Sequence, residues 1–168
     1  NAFNPGAKLP DAYDFFLKLG PLANANEKYF KNDIAFWNDL MKHGVYDEFW
    51  QARNLRPHLK NIKPAVMTVG GWFDAEDPQG PLTVYRRIKE NNPGTFNSLV
   101  MGPWTHGGWQ RNDGAAIGHV SFGFKTGDYY RKNILLPFFE RFLKDKSDTK
   151  IAEAYAFETG TNVWREYS

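Results

Sequence analysis

Two short apolar runs decide the fold: residues 64–71, Pro-Ala-Val-Met-Thr-Val-Gly-Gly, and residues 96–102, Phe-Asn-Ser-Leu-Val-Met-Gly. The first run shows no polar alternation, which is typical of a strand buried in a parallel sheet. Between the runs, residues 79–90 carry apolar side chains at helical spacing, and residues 91–94 predict a turn. Strand, helix and strand within about 40 residues predict a βαβ unit with a right-handed crossover and a parallel sheet.

The residues before this unit predict short helices that are rich in aromatic side chains. We expect helices over residues 12–19, followed by a stop at Gly20, and over residues 26–42 and 45–53. Short helices of this kind cannot bury their apolar faces alone. We therefore expect them to cover another part of the protein.

The residues after the unit predict an irregular segment, a helix and a strand. Residues 107–127 are rich in glycine, and a last helix is expected over residues 128–144. Pro137 lies inside that helix and predicts a kink or a late start. Residues 151–157 alternate in polarity, so we expect a strand there that starts a new sheet.

A polar residue follows each apolar run shortly after the run ends in glycine. Asp74 lies in the segment Gly-Gly-Trp-Phe-Asp of residues 70–74, and His106 lies in Gly-Pro-Trp-Thr-His of residues 102–106. The carboxyl ends of neighbouring parallel strands share one edge of a sheet, where ligands bind in open α/β folds. An acid followed by a histidine is also the order in which an α/β-hydrolase supplies its last two triad residues, after a serine.

The two residues have the chemistry that a serine hydrolase needs. A base takes the proton of the serine, and an acid fixes the tautomer of the base and supports its charge. His106 lies on a loop, whereas His43 ends a helix, His58 follows a proline, and His119 in the irregular segment is the rival. No serine of the chain lies in a nucleophile elbow, so we expect the nucleophile upstream of this chain.

Two more acids, Glu76 and Asp77, follow Asp74 within three positions. Such a cluster destabilises the fold unless a cation binds there, because like charges repel. One interpretation is an anionic pocket for a substrate ammonium group. The alternative is a solvated loop in which Asp77, followed by a proline, caps the next helix.

The composition is that of an ordinary globular domain. The net charge of +2 is too small to argue for nucleic acid or an anionic membrane surface, so we expect neither partner. The chain has no cysteine, which excludes disulfides and thiolate metal sites. No apolar run approaches the roughly 20 residues of a membrane span, and no signal peptide is visible. Aromatic residues are 17% of the chain and flank both motifs, which suits either a substrate pocket or a core.

At these motifs the chain resembles a group of α/β-hydrolases that contains cocaine esterase, α-amino-acid ester hydrolases, glutaryl-cephalosporin acylases and X-prolyl dipeptidyl aminopeptidases. Residues 71–74 match the acid motif of this family, Gly-Trp-aromatic-Asp, and residues 102–106 match its histidine motif. Residues 46–50 also resemble the segment that leads out of the helical cap of the family. The α-amino-acid ester hydrolase branch is favoured, since it places an acidic pair at the positions of Glu76 and Asp77 to hold an α-ammonium group.

The resemblance implies an α/β fold that is the later part of a hydrolase sheet. Residues 1–60 would be a helical cap segment, residues 61–147 the C-terminal part of the α/β-hydrolase domain, and residues 148–168 the start of a jelly-roll domain. Trp72 and Trp104 are expected to bind substrate beside the acidic pair. The branch is often multimeric, so the resemblance allows a homo-oligomer without deciding the oligomeric state, and it favours a periplasmic or secreted location.

The implied reaction is hydrolysis of esters or amides with a free α-amine through an acyl-serine, without a cofactor or metal. Asp74 would orient His106, which activates the serine of the remaining parent chain. Without that serine the isolated chain is expected to be inactive. X-prolyl dipeptidyl aminopeptidase and cocaine-esterase-like carboxylesterase are the alternatives within the family.

Two interpretations of other classes remain. One is a metallohydrolase whose metal is held by His106, His119 and Asp113, although the spacing fits no tight ligand motif. The other is a non-catalytic binding module on a hydrolase scaffold.

Overall fold

The computed structural model describes residues 11–168, which divide into two compact units that meet in the sequence between residues 54 and 55. This division lies six residues before the boundary expected at residue 60. The cap role of residues 1–60 stays a prediction, and residues 1–10 of that segment lie outside the described residues.

Within residues 11–54, the first unit contains three α-helices: α1 (Ala12–Leu19), α2 (Ala35–Lys42) and α3 (Glu48–Gln51). Helix α1 confirms the prediction for residues 12–19. Asp11 caps its first turn by accepting a hydrogen bond from the backbone N–H of Tyr13 at 2.8 Å. The helix ends at Gly20, whose φ of 72° is a backbone conformation that glycine adopts without strain.

The single helix predicted over residues 26–42 is wrong. The chain forms a π-helical turn, Asn26–Phe30, and then leaves the helix at Lys31 and Asn32, which both have positive φ. The Asn38 side chain holds this break, since it donates to the carbonyl of Asn32 at 2.9 Å and accepts from the Asn26 amide at 2.8 Å. Side-chain amides thus compete with the helical backbone pattern.

Helix α3 is also shorter than predicted because Asp47 caps it directly before Glu48.

The second unit contains the sheet and the remaining helices. In chain order its elements are β1 (Val66–Gly71), α4 (Gln79–Asn91), β2 (Asn97–Gly102), α5 (Gly108–Arg111), β3 (Ala116–Ile117), β4 (Val120–Ser121), α6 (Thr126–Tyr130), α7 (Leu136–Leu143), β5 (Ala154–Glu158) and β6 (Val163–Tyr167). None of the helices in residues 11–168 is long and apolar enough to cross a membrane.

The main sheet confirms the predicted βαβ unit. Its strand order is β1-β2-β5-β6, and β1 pairs with β2 in parallel from Val66 opposite Asn97 to Gly71 opposite Gly102. Helix α4 connects these two strands. Since Gly71 and Gly102 end their strands at the same level, the loops that follow them leave the same edge of the sheet.

Strand β5 corrects one prediction. It does not start a new sheet, because Leu99 and Met101 of β2 pair in parallel with Ala154 and Ala156 of β5. The alternation in the sequence arises because Tyr155 is buried on one face, at 5% exposure. Burial on one face is a property of the strand and carries no information on its partner. Strand β6 then pairs antiparallel with β5.

The core of this unit contains a cluster of buried side chains on and against the sheet: Val100, Trp104, Tyr130, Ile134 and Tyr155. The helix predicted over residues 128–144 is α6 and α7 joined by a π-helical turn, Arg131–Leu135. Pro137 lies inside this continuous helical run, two residues after the π-helical turn ends. The late start that Pro137 predicts is therefore wrong, because the helical run begins at Thr126, and the kink stays a prediction.

Candidate active site

Asp74 lies on the loop after β1 and is held by its own backbone neighbours. Its Oδ1 accepts hydrogen bonds from the backbone N–H groups of Glu76 at 2.8 Å and Asp77 at 3.1 Å. Its backbone N–H donates to the carbonyl of Gly71 at 3.2 Å. The side chain is 6% exposed. Its Oδ1 stabilises the turn, and its Oδ2 is left to face His106.

The pKa of the Asp74 carboxyl lies below its ordinary value. The backbone N–H groups of Asp77 and Glu76 are the largest causes, and the hydrogen bond with His106 is a smaller one; burial works in the opposite direction. Hydrogen bonds to the ionised form stabilise it. Asp74 is therefore a carboxylate at neutral pH, as an orienting acid must be.

His106 lies on the loop after β2 and faces this carboxylate. Its Nδ1 is 3.0 Å from Asp74 Oδ2, within the range of about 2.6–3.2 Å that a base held by its acid needs. Its Nε2 has no hydrogen-bond partner in the described part of the chain, and the side chain is 51% exposed. An imidazole held at Nδ1 and free at Nε2 can take a proton from a nucleophile and return it.

The two loops are joined by backbone hydrogen bonds. The N–H of Trp72 donates to the carbonyl of Gly102 at 2.8 Å, and the N–H of Phe73 donates to the carbonyl of Trp104 at 3.1 Å. A Cβ on Gly71 would lie 2.1 Å from the carbonyl oxygen of Trp104. The approach of the loops therefore requires glycine at position 71.

The acidic pair divides between the two expected roles. Glu76 is 74% exposed, and its Oε2 lies 4.0 Å from His106 Nδ1. Asp77 Oδ1 instead accepts a hydrogen bond from the backbone N–H of Gly80 at 2.6 Å, in the first turn of α4. The helix-capping alternative thus holds for Asp77, while Glu76 is left facing the histidine.

The two tryptophans expected to bind substrate differ in the structure. Trp72 is 41% exposed beside Asp74, and its indole N–H donates to the carbonyl of Phe157 at 3.0 Å. Trp104 is 1% exposed and packs against Tyr130 in the core. The expectation that Trp104 contacts substrate is wrong for this structure, because its ring is covered by protein on all sides.

Phe73 is a candidate contact residue that the sequence patterns did not single out. Its ring is 42% exposed directly beside Asp74 and lies 6.3 Å from the ring of Phe122. The available signal was its place inside the acid motif, between Trp72 and Asp74.

The structure does not bring the rival metal ligands together. Within residues 11–168, no group of three His, Asp or Glu side chains is placed to hold a metal ion. His119 is exposed in the turn between β3 and β4. Asp113 accepts from the N–H of Ala115 at 3.1 Å and lies 3.5 Å from the ammonium of Lys125.

The chain matches known hydrolases over most of its length. Residues 2–108 match a family described as X-Pro dipeptidyl-peptidase (S15 family). An aminopeptidase from the marine sediment archaeon Thaumarchaeota archaeon is 32% identical, with a TM-score of 0.85 over 94% of this chain and 26% of its own. An α-amino acid ester hydrolase is 29% identical, with a TM-score of 0.83 over the same two shares, 94% and 26%. No curated protein matches.

These findings confirm the resemblance that the two motifs indicate and the mixed α/β fold with a parallel sheet. The chain spans about a quarter of the two solved structures, 26% of each.

Proposed function

The chain belongs to the X-Pro dipeptidyl-peptidase (S15) family of hydrolases, and on that premise we propose that it supplies the acid and the base of a serine hydrolase. The nucleophilic serine would come from the rest of the parent protein. One observation carries the proposal: His106 is held by Asp74 at 3.0 Å through one ring nitrogen while the other is free and exposed.

In the proposed reaction, His106 Nε2 takes the proton of the serine hydroxyl as the serine oxygen attacks the substrate carbonyl. The C–O or C–N bond to the leaving group then breaks, and the leaving group receives that proton from His106. Water attacks the acyl-serine in the same way, and the acid product and the free serine result. Throughout, Asp74 keeps Nδ1 protonated and stabilises the imidazolium.

We propose that the substrate carries a free α-amine on its acyl part. Glu76 supports this, because its exposed carboxylate lies beside the histidine and its backbone is tied to Asp74. The two solved neighbours, an aminopeptidase and an α-amino acid ester hydrolase, are named for substrates with an amino group. Trp72 and Phe73, both partly exposed, would contact the acyl side chain.

Cleavage of X-Pro dipeptides is the second candidate, since it is the activity for which the matching family is described. Both candidates need a free amine and an acyl-serine, and they differ in whether the amine sits one or two residues from the scissile bond. A cocaine-esterase-like carboxylesterase would need no amine.

The test uses the parent protein. A fluorophosphonate reagent should label one serine in the wild type and lose most of its rate with His106→Gln, because the serine is then not activated. Aminoacyl esters, X-Pro dipeptide amides and esters without an amine then separate the three substrate classes. Absence of labelling in the folded parent would support the non-catalytic binding module instead.

The isolated 168-residue chain stays predicted to be inactive, and ester hydrolysis that a serine reagent inhibits would contradict this. We also keep as proposals a homo-oligomeric parent and a jelly-roll start within residues 148–168. Strands β5 and β6 both belong to the main sheet, so a change of domain would come after Tyr167.

A further inference from the structure

Trp104 joins the acid loop to the histidine loop. Its backbone carbonyl accepts the hydrogen bond from the N–H of Phe73, the residue before Asp74, at 3.1 Å. Trp104 also precedes His106 by two residues on the other loop. A displacement of Trp104 would therefore move both partners of the His106–Asp74 hydrogen bond.

The indole of Trp104 is held at its only polar atom. Its Nε1 donates to Thr126 Oγ1 at 2.9 Å, and the Thr126 hydroxyl donates to the carbonyl of Gly114 at 2.7 Å. Thr126 is 0% exposed, so this short chain of hydrogen bonds is protected from water. The ring also packs on the side chains of Trp109, Tyr130 and Trp164 and lies against Gly102, and these apolar contacts are less directional than a hydrogen bond. The Thr126 hydroxyl therefore sets the orientation of the ring.

Gly114 makes room for this arrangement. A Cβ at position 114 would lie 2.4 Å from Thr126 Oγ1 and 3.0 Å from Trp104 Nε1. Its φ of 72° also favours glycine. Three segments, around residues 104, 114 and 126, thus meet at the Thr126 hydroxyl.

We propose that Thr126 is a positioning residue for the acyl transfer, acting through Trp104 to hold His106 against Asp74. The catalytic meaning of this inference rests on the proposed function. The orientation of His106 itself can be measured in the chain without any turnover.

The measurement is the tautomer of His106, read from ¹⁵N chemical shifts of labelled histidine at about pH 9, where ordinary imidazoles are neutral. In the wild type we expect the Nδ1–H tautomer, because Asp74 accepts from that nitrogen. Thr126→Val keeps the volume and removes the hydroxyl, and we expect His106 to shift toward the Nε2–H tautomer of free histidine. Thr126→Ser should restore the wild-type signal. His43, bonded to Asp47 in the first unit, is the internal control and should not change.

Trp104→Phe is the second variant, since it removes the donor and keeps an aromatic ring. It should shift the His106 tautomer as Thr126→Val does, and the double variant should shift it no further. If Thr126→Val does not fold, the His106 tautomer in Trp104→Phe tests the inference instead. An unchanged tautomer in the folded variants, or no rescue by Thr126→Ser, would overturn the inference. Failure of serine labelling in the parent would overturn the proposed function and leave this result unaffected.

Discussion

The described part of the chain, residues 11–168, contains two hydrogen-bonded histidine–aspartate pairs, and the one with the shorter hydrogen bond is not the candidate site. In the first unit, His43 Nδ1 lies 2.6 Å from Asp47 Oδ2, four residues along the chain. In the second unit, His106 Nδ1 lies 3.0 Å from Asp74 Oδ2, across 32 residues. Contact between an acid and an imidazole is therefore not sufficient to identify a catalytic pair.

The two pairs differ in what surrounds them. The ring of His43 stacks on Phe49 with centroids 4.5 Å apart. The side chains of His43 and Asp47 are each 24% exposed. Asp47 also caps α3, so the pair joins two helices. His106 is 51% exposed with one nitrogen free, while its acid is 6% exposed. Proton transfer needs a buried, fixed acid and an imidazole that is accessible to the nucleophile, as in the His106–Asp74 pair. Two partly buried side chains, as in the His43–Asp47 pair, suit a structural contact.

The largest expected effect separates the pairs by activity. In the parent protein, His106→Gln should lower kcat by about 10⁴-fold or more, because no base remains to activate the serine. His43→Gln is the matched control and should leave kcat within about twofold, since the His43 ring packs between helices of the first unit. Steady-state kinetics on an aminoacyl ester measure both. Comparable losses in the two variants would remove the distinction drawn between the pairs.

The second prediction concerns the close approach of the two site loops. Gly71→Ala should lower the free energy of unfolding by about 1–3 kcal/mol, since its Cβ would meet the Trp104 carbonyl oxygen at 2.1 Å. Gly44→Ala, beside His43, has no atom within 4 Å of the added Cβ and should change it by at most about 0.5 kcal/mol. Urea unfolding of the 168-residue chain measures both. Equal midpoints would show that the histidine loop moves aside at no cost.

The third prediction tests Glu76, whose carboxylate lies 4.0 Å from His106 Nδ1. Glu76→Gln in the parent should raise KM about tenfold for a substrate with a free α-amine, the loss of one charge-assisted contact. It should change KM little for the N-acetylated substrate, which has no positive charge. Glu90→Gln, an exposed acid on α4, is the control. An equal effect on both substrates would argue against an ammonium pocket at Glu76.

The smallest expected effect concerns the pKa values of the two acids. Both lie below the ordinary value of 3.8, but the largest cause is His43 for Asp47 and backbone N–H groups for Asp74. His43→Ala should therefore move the pKa of Asp47 back toward 3.8. His106→Ala should leave the pKa of Asp74 lowered. Carboxyl ¹³C shifts followed through an acid titration measure both, and a return of the Asp74 pKa to 3.8 would show that His106, not the backbone, lowers it.

These pKa directions also set the sign of the pH dependence. A carboxyl with a lowered pKa in the folded state stabilises the fold above its unfolded value, 3.8 for both acids. That contribution is lost as the pH falls through the lower folded value. The variant that raises the pKa of Asp47 should accordingly lose less stability on acidification than the wild type.

Local patterns predicted some elements well and others poorly. Helix α1 and the βαβ unit followed from spacing, since their caps and turns lie within a few residues of the elements themselves. The break at Asn32 did not, because the Asn38 side chain that holds it is six residues away and on another turn. Side-chain competition of this kind has no signature in apolar periodicity.

The candidate site shows the same limit. The motifs identified Asp74 and His106 as partners, and their places after neighbouring parallel strands predicted that they would meet. The motifs treated Trp72 and Trp104 alike, yet one is 41% exposed and the other 1%. Which ring reaches solvent depends on the helices and strands packed around it, and Trp104 is covered by residues far along the chain.

The sequence alone determined which residues are the candidate acid and base, the βαβ order that brings them to one edge, and the family to which the motifs point. The tertiary structure alone decided that β5 joins the same sheet, that Asp77 caps a helix while Glu76 stays open, and that the His106 ring is open to solvent while the His43 ring is stacked on Phe49. The physical reason is that periodicity records which face of an element is buried. The identity of the atoms that bury it depends on contacts between residues distant in the chain.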